Sequence, residues 1–225
     1  MSYTSLFFDL DETLYTKGNG LWDAIAARME EYIHVQLNLP PEDVSILRRH
    51  YYESYGTTLR GLQIHHQIDA DEYLAFVHDL SLEDYIQPDP QLYKLLSSLH
   101  IRKWIFTNAD AYHAKRVLDI LGLSDCFEGI LDVRAIGFAC KPEIEAYHRA
   151  LTLANEDQPN NCILLDDSVR NLAPAKDLGF TTVLVGSDGT HPAADYAIDN
   201  IHQLPEALPG LWREHKVVSR CELDE

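Results

Sequence analysis

The sequence predicts an α/β protein: a Rossmann-like, doubly wound parallel sheet with a helical cap inserted after its first strand. Three observations predict it. Short apolar runs alternate with helix-like stretches along most of the chain, the pattern of parallel strands joined by crossovers. Acidic and hydroxyl residues follow directly on those runs, where such a sheet gathers its ligands. One long helical stretch, residues 18–87, breaks the alternation once.

Leu6 to Phe8 is the first strand, and Asp9, Asp11 and Thr13 follow it. In the insertion, Leu21, Ile25, Met29, Ile33 and Leu37 recur every four residues, so they form one apolar stripe on a helix that stops at Pro40-Pro41. A second helix runs from Glu42 to Tyr55 and ends at Gly56; a third runs from Asp71 to Leu80. Between them Tyr55-Gly-Thr-Thr-Leu-Arg-Gly-Leu62 carries two glycines that interrupt the helical pattern. The stripe is assigned to packing and this interrupted stretch to function. The insertion is too long for an ordinary crossover, which divides the chain into a core domain, residues 1–17 and 88–225, and a cap, residues 18–87.

Ile101 to Phe106 is the second strand, with Thr107 and Asn108 at its exit. Asp110 can cap a helix that passes Leu121 and stops at Gly122. Gly129 to Leu131 is a shorter strand. Cys162 to Leu165 leads into Asp166-Asp167, and Ser168 can cap a helix ending near Gly179, with a kink or late start expected from Pro174. Thr181 to Val185 is the last strand read.

The chain has 225 residues, 46% hydrophobic and 24% charged, an ordinary folded composition. Its formal net charge of -18 argues against a nucleic-acid polymer as partner, since such binding relies on Lys and Arg displacing counterions. Cys126, Cys140, Cys162 and Cys221 form no C-x-x-C pair, and there is neither a secretory leader pattern nor an apolar run near the roughly 20 residues that span a bilayer. A cytoplasmic protein with reduced thiols is expected. His65-His66 lacks soft ligand partners nearby and is read as packing.

Asp9, Asp11, Asp166 and Asp167 all stand at strand ends of one sheet. Carboxylates brought together there repel unless a cation lies between them, and an oxygen-only set selects a hard ion, most simply magnesium. Magnesium invites phosphate. Lys141 can meet phosphate oxygens with a point charge, and the Thr107 hydroxyl can donate to them. Any one of these features alone is commonplace.

In order along the chain, Asp9-x-Asp11-x-Thr13, Thr107-Asn108, Lys141 and Asp166-Asp167 resemble the four motifs of the haloacid dehalogenase superfamily. The resemblance covers the whole chain and includes the cap after the first motif. It implies that Asp9 attacks phosphorus to form an aspartyl phosphate, and that Asp11 protonates the leaving oxygen and then activates water. It further implies magnesium bound by Asp9, the Asp11 backbone carbonyl and Asp167, with Asp166 in or next to the set, while Thr107 and Lys141 hold the phosphoryl group. Dehalogenases have no use for an acid at position 11, and phosphonatases need a cap lysine, whereas residues 18–87 contain none.

Tyr55-Gly-Thr-Thr-Leu-Arg-Gly-Leu62, Ile105-Phe-Thr-Asn-Ala109 with His113-Ala-Lys-Arg-Val117, Cys140-Lys-Pro142 and Asp166-Asp-Ser168 with Asn171 resemble the pyrimidine 5′-nucleotidase subgroup. That implies hydrolysis of UMP- or CMP-like monophosphates, with Asn108, Thr57, Thr58 and Arg60 near the nucleotide and an aromatic such as Tyr55 available to stack. A role for Arg60 in merely shaping its loop is the competing reading. The alternatives are a general phosphatase of small phosphoesters, a phospho-receiver domain and a binding protein without catalysis. A receiver would carry its acidic pair near the N-terminus and needs no cap.

Overall fold

In the computed structural model, which describes residues 3–212, the strands are Ser5–Phe8 (β1), Arg102–Phe106 (β2), Gly129–Leu131 (β3), Cys162–Asp166 (β4), Thr181–Val185 (β5) and Tyr196–Ile198 (β6). They form one sheet in the order β3-β2-β1-β4-β5-β6, and every pairing is parallel. This is the doubly wound sheet expected. β1 is apolar on both faces because both are covered. Leu6 and Phe8 join one buried cluster with Val117, Leu118 and Leu121, whereas Phe7 points the other way, into a cluster with Tyr147, Leu172 and Ala175. Each such side chain, fully removed from water, contributes about 1.5–3 kcal/mol.

The helices are Leu21–Leu37 (α1), Pro41–Tyr55 (α2), Thr58–His66 (α3), Ala70–Val77 (α4), Pro90–Ser97 (α5), Ala111–Leu121 (α6), Ile144–Leu153 (α7) and Val169–Leu178 (α8), with a further short turn at Leu204–Ala207. α5 and α6 cover one face of the sheet; α7 and α8 cover the other. The Asp110 carboxylate accepts from the His113 N–H at 2.8 Å, and Gly122 closes α6 in the left-handed conformation, as the sequence predicts. Ser168 stands at the start of α8 without a capping hydrogen bond from its side chain; the Ser168 N–H instead donates to Asp166. Pro174 lies inside α8, so its missing N–H is accommodated within the helix.

Between β1 and β2, α1 to α4 gather around their own cluster, which includes Tyr32, Ile33, Tyr51, Leu62, Tyr73 and Val77. The stripe on α1 serves two cores: Leu21 and Ile25 pack with the sheet, Ile33 with the other helices. Residues 55–62 differ from the sequence reading. Gly56 ends α2, but Gly61 lies inside α3, which starts after Thr57 as its cap and includes Thr58, Leu59 and Arg60. Position 61 needs glycine within the helix because α3 crosses Tyr51 of α2 so closely that a Cβ would overlap the ring. The third cap helix ends at Val77, before Leu80. β6 has no counterpart in the sequence reading.

His65 and His66 stand at the end of α3 and bond the hydroxyls of Tyr55 and Tyr51, which agrees with packing. Cys126, Cys140 and Cys162 are buried free thiols; Cys221 lies outside the described residues. No helix among the described residues is long and apolar enough to cross a membrane.

Candidate active site

β1 has β2 on one side and β4 on the other, so the C-terminal ends of three strands deliver Asp9, Thr107 and Asp166 to one place. The Asp9 N–H still donates to Leu165 O at 2.8 Å, which extends the ladder one step past β1. The chain then turns sharply. Glu12 adopts φ 59°, a left-handed conformation that non-glycine residues rarely hold. Asp9 and Asp11 thereby both line a cleft of about 670 Å³ between the sheet edge and the inserted helices.

Asp9, Asp166 and Asp167 each place a carboxylate oxygen within 4.8 Å of the others. Lys141 is buried between two of them, with its ammonium donating to Asp9 Oδ1 at 2.8 Å and to Asp166 Oδ2 at 2.7 Å. Asn171 and the Ser168 N–H also donate to Asp166. Lys17 reaches Asp167 at 3.1 Å. Burial pushes the Asp9 carboxyl well above the usual carboxylate range; the Asp166 and Asp167 charges push the same way, and Lys141 opposes them. Burial alone would discharge Lys141, but Asp166 and Asp9 hold it above its ordinary value. Burial and Asp166 likewise raise Asp167 against the pull of Lys17. Three crowded carboxylates that offer only oxygen donors suit a small divalent cation.

Asp11 is held differently. Its Oδ1 accepts from the Tyr15 hydroxyl at 2.8 Å and from His113 Nε2 at 2.9 Å. Burial resists ionisation, but His113 and Tyr15 together keep the carboxyl below its ordinary range. His113 is fully buried, stacks on His78 at 4.2 Å, and its Nδ1 has no partner among the described residues. His78 in turn bonds Asp110 at 3.1 Å. Neither histidine was singled out from the sequence as a site residue. The available signal was the cap at Asp110, which fixes residue 113 in the first turn of α6, beside the strand ends.

Thr107 and Asn108 both line the cleft. The Thr107 hydroxyl accepts from the Ala109 N–H. Asn108 grips the Lys141 backbone from both sides, donating to its carbonyl at 2.9 Å and accepting from its N–H at 2.8 Å. Thr57 and Thr58 line the cleft, but Arg60 and Tyr55 do not. Once α3 is helical, residue 60 turns away from the wall that Thr57 and Thr58 form, and its Nε is buried without a partner. The arginine on the cleft wall is Arg48, and the aromatic residues are Trp22, Tyr52 and Tyr73.

This sheet, inserted helical layer and acidic strand-end cluster define a class of hydrolases: the chain belongs to the haloacid dehalogenase-like hydrolase family, whose pattern its residues 3–179 match. It is similar to Phosphate metabolism protein 8 of Saccharomyces cerevisiae, with 32% identity over 192 residues, 79% of this chain and 60% of that protein. The chain thus spans 60% of the length of this curated relative. Among solved structures it resembles a HAD phosphatase of Thermococcus onnurineus, at 20% identity and TM-score 0.62 over 90% of this chain and 96% of that one. It also resembles the magnesium-bound HAD hydrolase YfnB of Bacillus subtilis, at 17% identity and TM-score 0.60 over 92% and 98%. At these identities the two structures speak for the fold.

Proposed function

We propose that this chain is a magnesium-dependent phosphomonoesterase that hydrolyses pyrimidine nucleoside 5′-monophosphates, UMP- or CMP-like, to nucleoside and phosphate through an aspartyl phosphate. The observation that carries the reading is the meeting of Asp9, Lys141, Asp166 and Asp167, residues far apart in sequence, at the floor of one cleft. Asp9, Asp166 and Asp167, with the Asp11 carbonyl, would hold magnesium, which when bound supplies positive charge to carboxylates and phosphate oxygens. Residues 18–87 serve as the cap over the substrate.

Asp9 attacks phosphorus; the P–O bond to the sugar breaks, and the leaving oxygen takes its proton from Asp11. Asp11, then a carboxylate, removes a proton from water, which attacks the aspartyl phosphate and regenerates Asp9. The His113 and Tyr15 contacts favour the ionised Asp11 that this second step requires. For the first step the leaving oxygen replaces one of those partners on a protonated Asp11. Lys141 and the Thr107 hydroxyl steady the transferring phosphoryl group, and most of the acceleration comes from positioning and charge neutralisation.

A general phosphatase of small phosphoesters is favoured as second reading by one observation: Arg60 and Tyr55, which the nucleotidase resemblance puts near the nucleotide, lie outside the cleft lining. Phosphate release from ribo- and deoxynucleoside monophosphates and sugar phosphates, with magnesium and with chelator, separates the two. UMP and CMP as the best substrates, and loss of turnover in Asp9→Asn, support the first reading. A flat profile selects the second, and full magnesium-dependent activity in Asp9→Asn removes both.

A further inference from the structure

The cleft wall opposite the carboxylates contains a polar group with nothing to bond. Tyr73 sits on α4 with 1% of its surface exposed, it lines the cleft, and its hydroxyl has no partner among the described residues. Leaving a phenol buried and unbonded carries a penalty comparable to a lost hydrogen bond, so such a group in a binding cleft marks where a ligand's polar atom goes. Burial raises the phenol far above its usual range, so it stays a neutral donor, and Arg48 lines the same cleft. Arg48 is itself anchored: its Nε donates to Glu30 at 2.9 Å, and its side chain reaches the cleft wall. Both groups donate hydrogen bonds.

Around these two donors the wall is apolar, with Leu74 and Val77, and Trp22 offers a partly exposed ring at the cleft. Donors set in an apolar wall beside an aromatic face match a flat ring bearing carbonyl acceptors. An acyl chain gains nothing from a buried phenol, and a bare sugar brings no ring carbonyl to the two donors. Resting on the nucleotidase reading above, we propose that Tyr73 and Arg48 form the base subsite of the cleft, donating to the carbonyl oxygens of a pyrimidine while the phosphate lies at Asp9.

The test compares UMP with ribose 5-phosphate, which keeps phosphate and sugar but lacks the base. Tyr73→Phe removes one oxygen and keeps the ring. It is expected to lower kcat/KM for UMP by roughly tenfold, leave ribose 5-phosphate within about twofold, and raise the melting temperature of the ligand-free protein, because an unbonded polar atom has gone. Arg48→Lys, which keeps a charge for Glu30, is expected to lower the UMP preference in the same direction. A variant with unchanged preference for UMP, or one with equal losses on both esters, overturns the subsite and leaves the nucleotidase reading standing. A wild-type enzyme with no preference for UMP over ribose 5-phosphate overturns that reading, and the subsite with it.

Discussion

Replacing Lys141 with methionine tests whether the acidic cluster is built around a cation. Methionine keeps most of the stem that packs near Phe106, whose ring centre is 5.0 Å from the ammonium, and deletes only the charge. At 2.8 and 2.7 Å, the two ion pairs are each worth about 6 kcal/mol of gross attraction at an effective dielectric near 20, most of it offset by the desolvation of Lys141. Removing one member of a buried pair nevertheless costs about 3–5 kcal/mol, because the remaining charges stay buried without it. That is a large part of a domain's total of about 5–15 kcal/mol. With the carboxylates ionised, as metal binding requires, counting Asp9, Asp166, Asp167 and Glu12 against Lys141 and Lys17 gives the cluster a net charge of about -2 in the wild type and about -3 in the variant. The variant therefore binds a divalent ion more tightly, and magnesium narrows the gap. Urea unfolding at neutral pH, in chelator and in excess magnesium chloride, is the assay. A loss below about 1 kcal/mol in chelator, or an equal loss in both conditions, would refute the reasoning.

Two further perturbations probe the scaffold. Asp195 accepts from the Thr182 N–H at 2.9 Å, from its hydroxyl at 3.0 Å and from Lys176 at 2.8 Å; against the effect of burial, these contacts hold its carboxyl below the usual range. A depressed carboxyl stabilises the fold above its unfolded value of about 3.9 and loses that contribution as pH falls through the lower folded value. Asp195→Asn should thus cost about 1 kcal/mol near neutrality, with the difference from wild type closing below about pH 4 in thermal unfolding. Gly61→Ala sets two terms against each other. Helix propensity favours alanine by about 1 kcal/mol, while overlap with Tyr51 costs about 1–3 kcal/mol or more. Net destabilisation is expected, and a higher melting temperature would show that α2 and α3 do not need the close approach.

The acidic and hydroxyl residues of the site floor were legible because each follows a strand; Lys141, in the loop between β3 and α7, is the exception. Asp9, Thr107 and Asp166 each sit one step past an apolar run, and a parallel sheet with β1 between β2 and β4 brings those exits together. The wall was harder to read, because its residues depend on helix phase. Two glycines near residues 56 and 61 look alike in sequence, yet Gly56 ends a helix at φ +87° and Gly61 lies inside one to let Tyr51 approach. Reading both as breakers put Arg60 at the cleft and hid Arg48. The missed cue was Thr57, whose hydroxyl accepts from the Arg60 N–H at 3.1 Å and so announces a helix start. β6 was unreadable for a different reason: Tyr196–Ile198 stands between Asp195 and Asp199 and leads into no long helix, so nothing marks it as a buried strand.

Floor and wall are not independent, because the corner between α2 and α3 touches the lysine loop. A Cβ on Gly56 would stand 2.9 Å from both Cys140 Sγ and the Lys141 carbonyl oxygen. Cys140 Sγ donates to Tyr55 O at 3.2 Å. On the far side, Asn108 holds the same Lys141 backbone through two hydrogen bonds. Arg170 adds a second tie, donating from the start of α8 to the carbonyls of Tyr52 and Glu53 at the end of α2. The ammonium bridging Asp9 and Asp166 is therefore carried on a segment clamped between the sheet edge and the inserted helices. Any movement of the α2–α3 corner relative to the sheet must reach Lys141 before it reaches Asp9, so the inserted helices also brace the ammonium that pairs with Asp9 and Asp166.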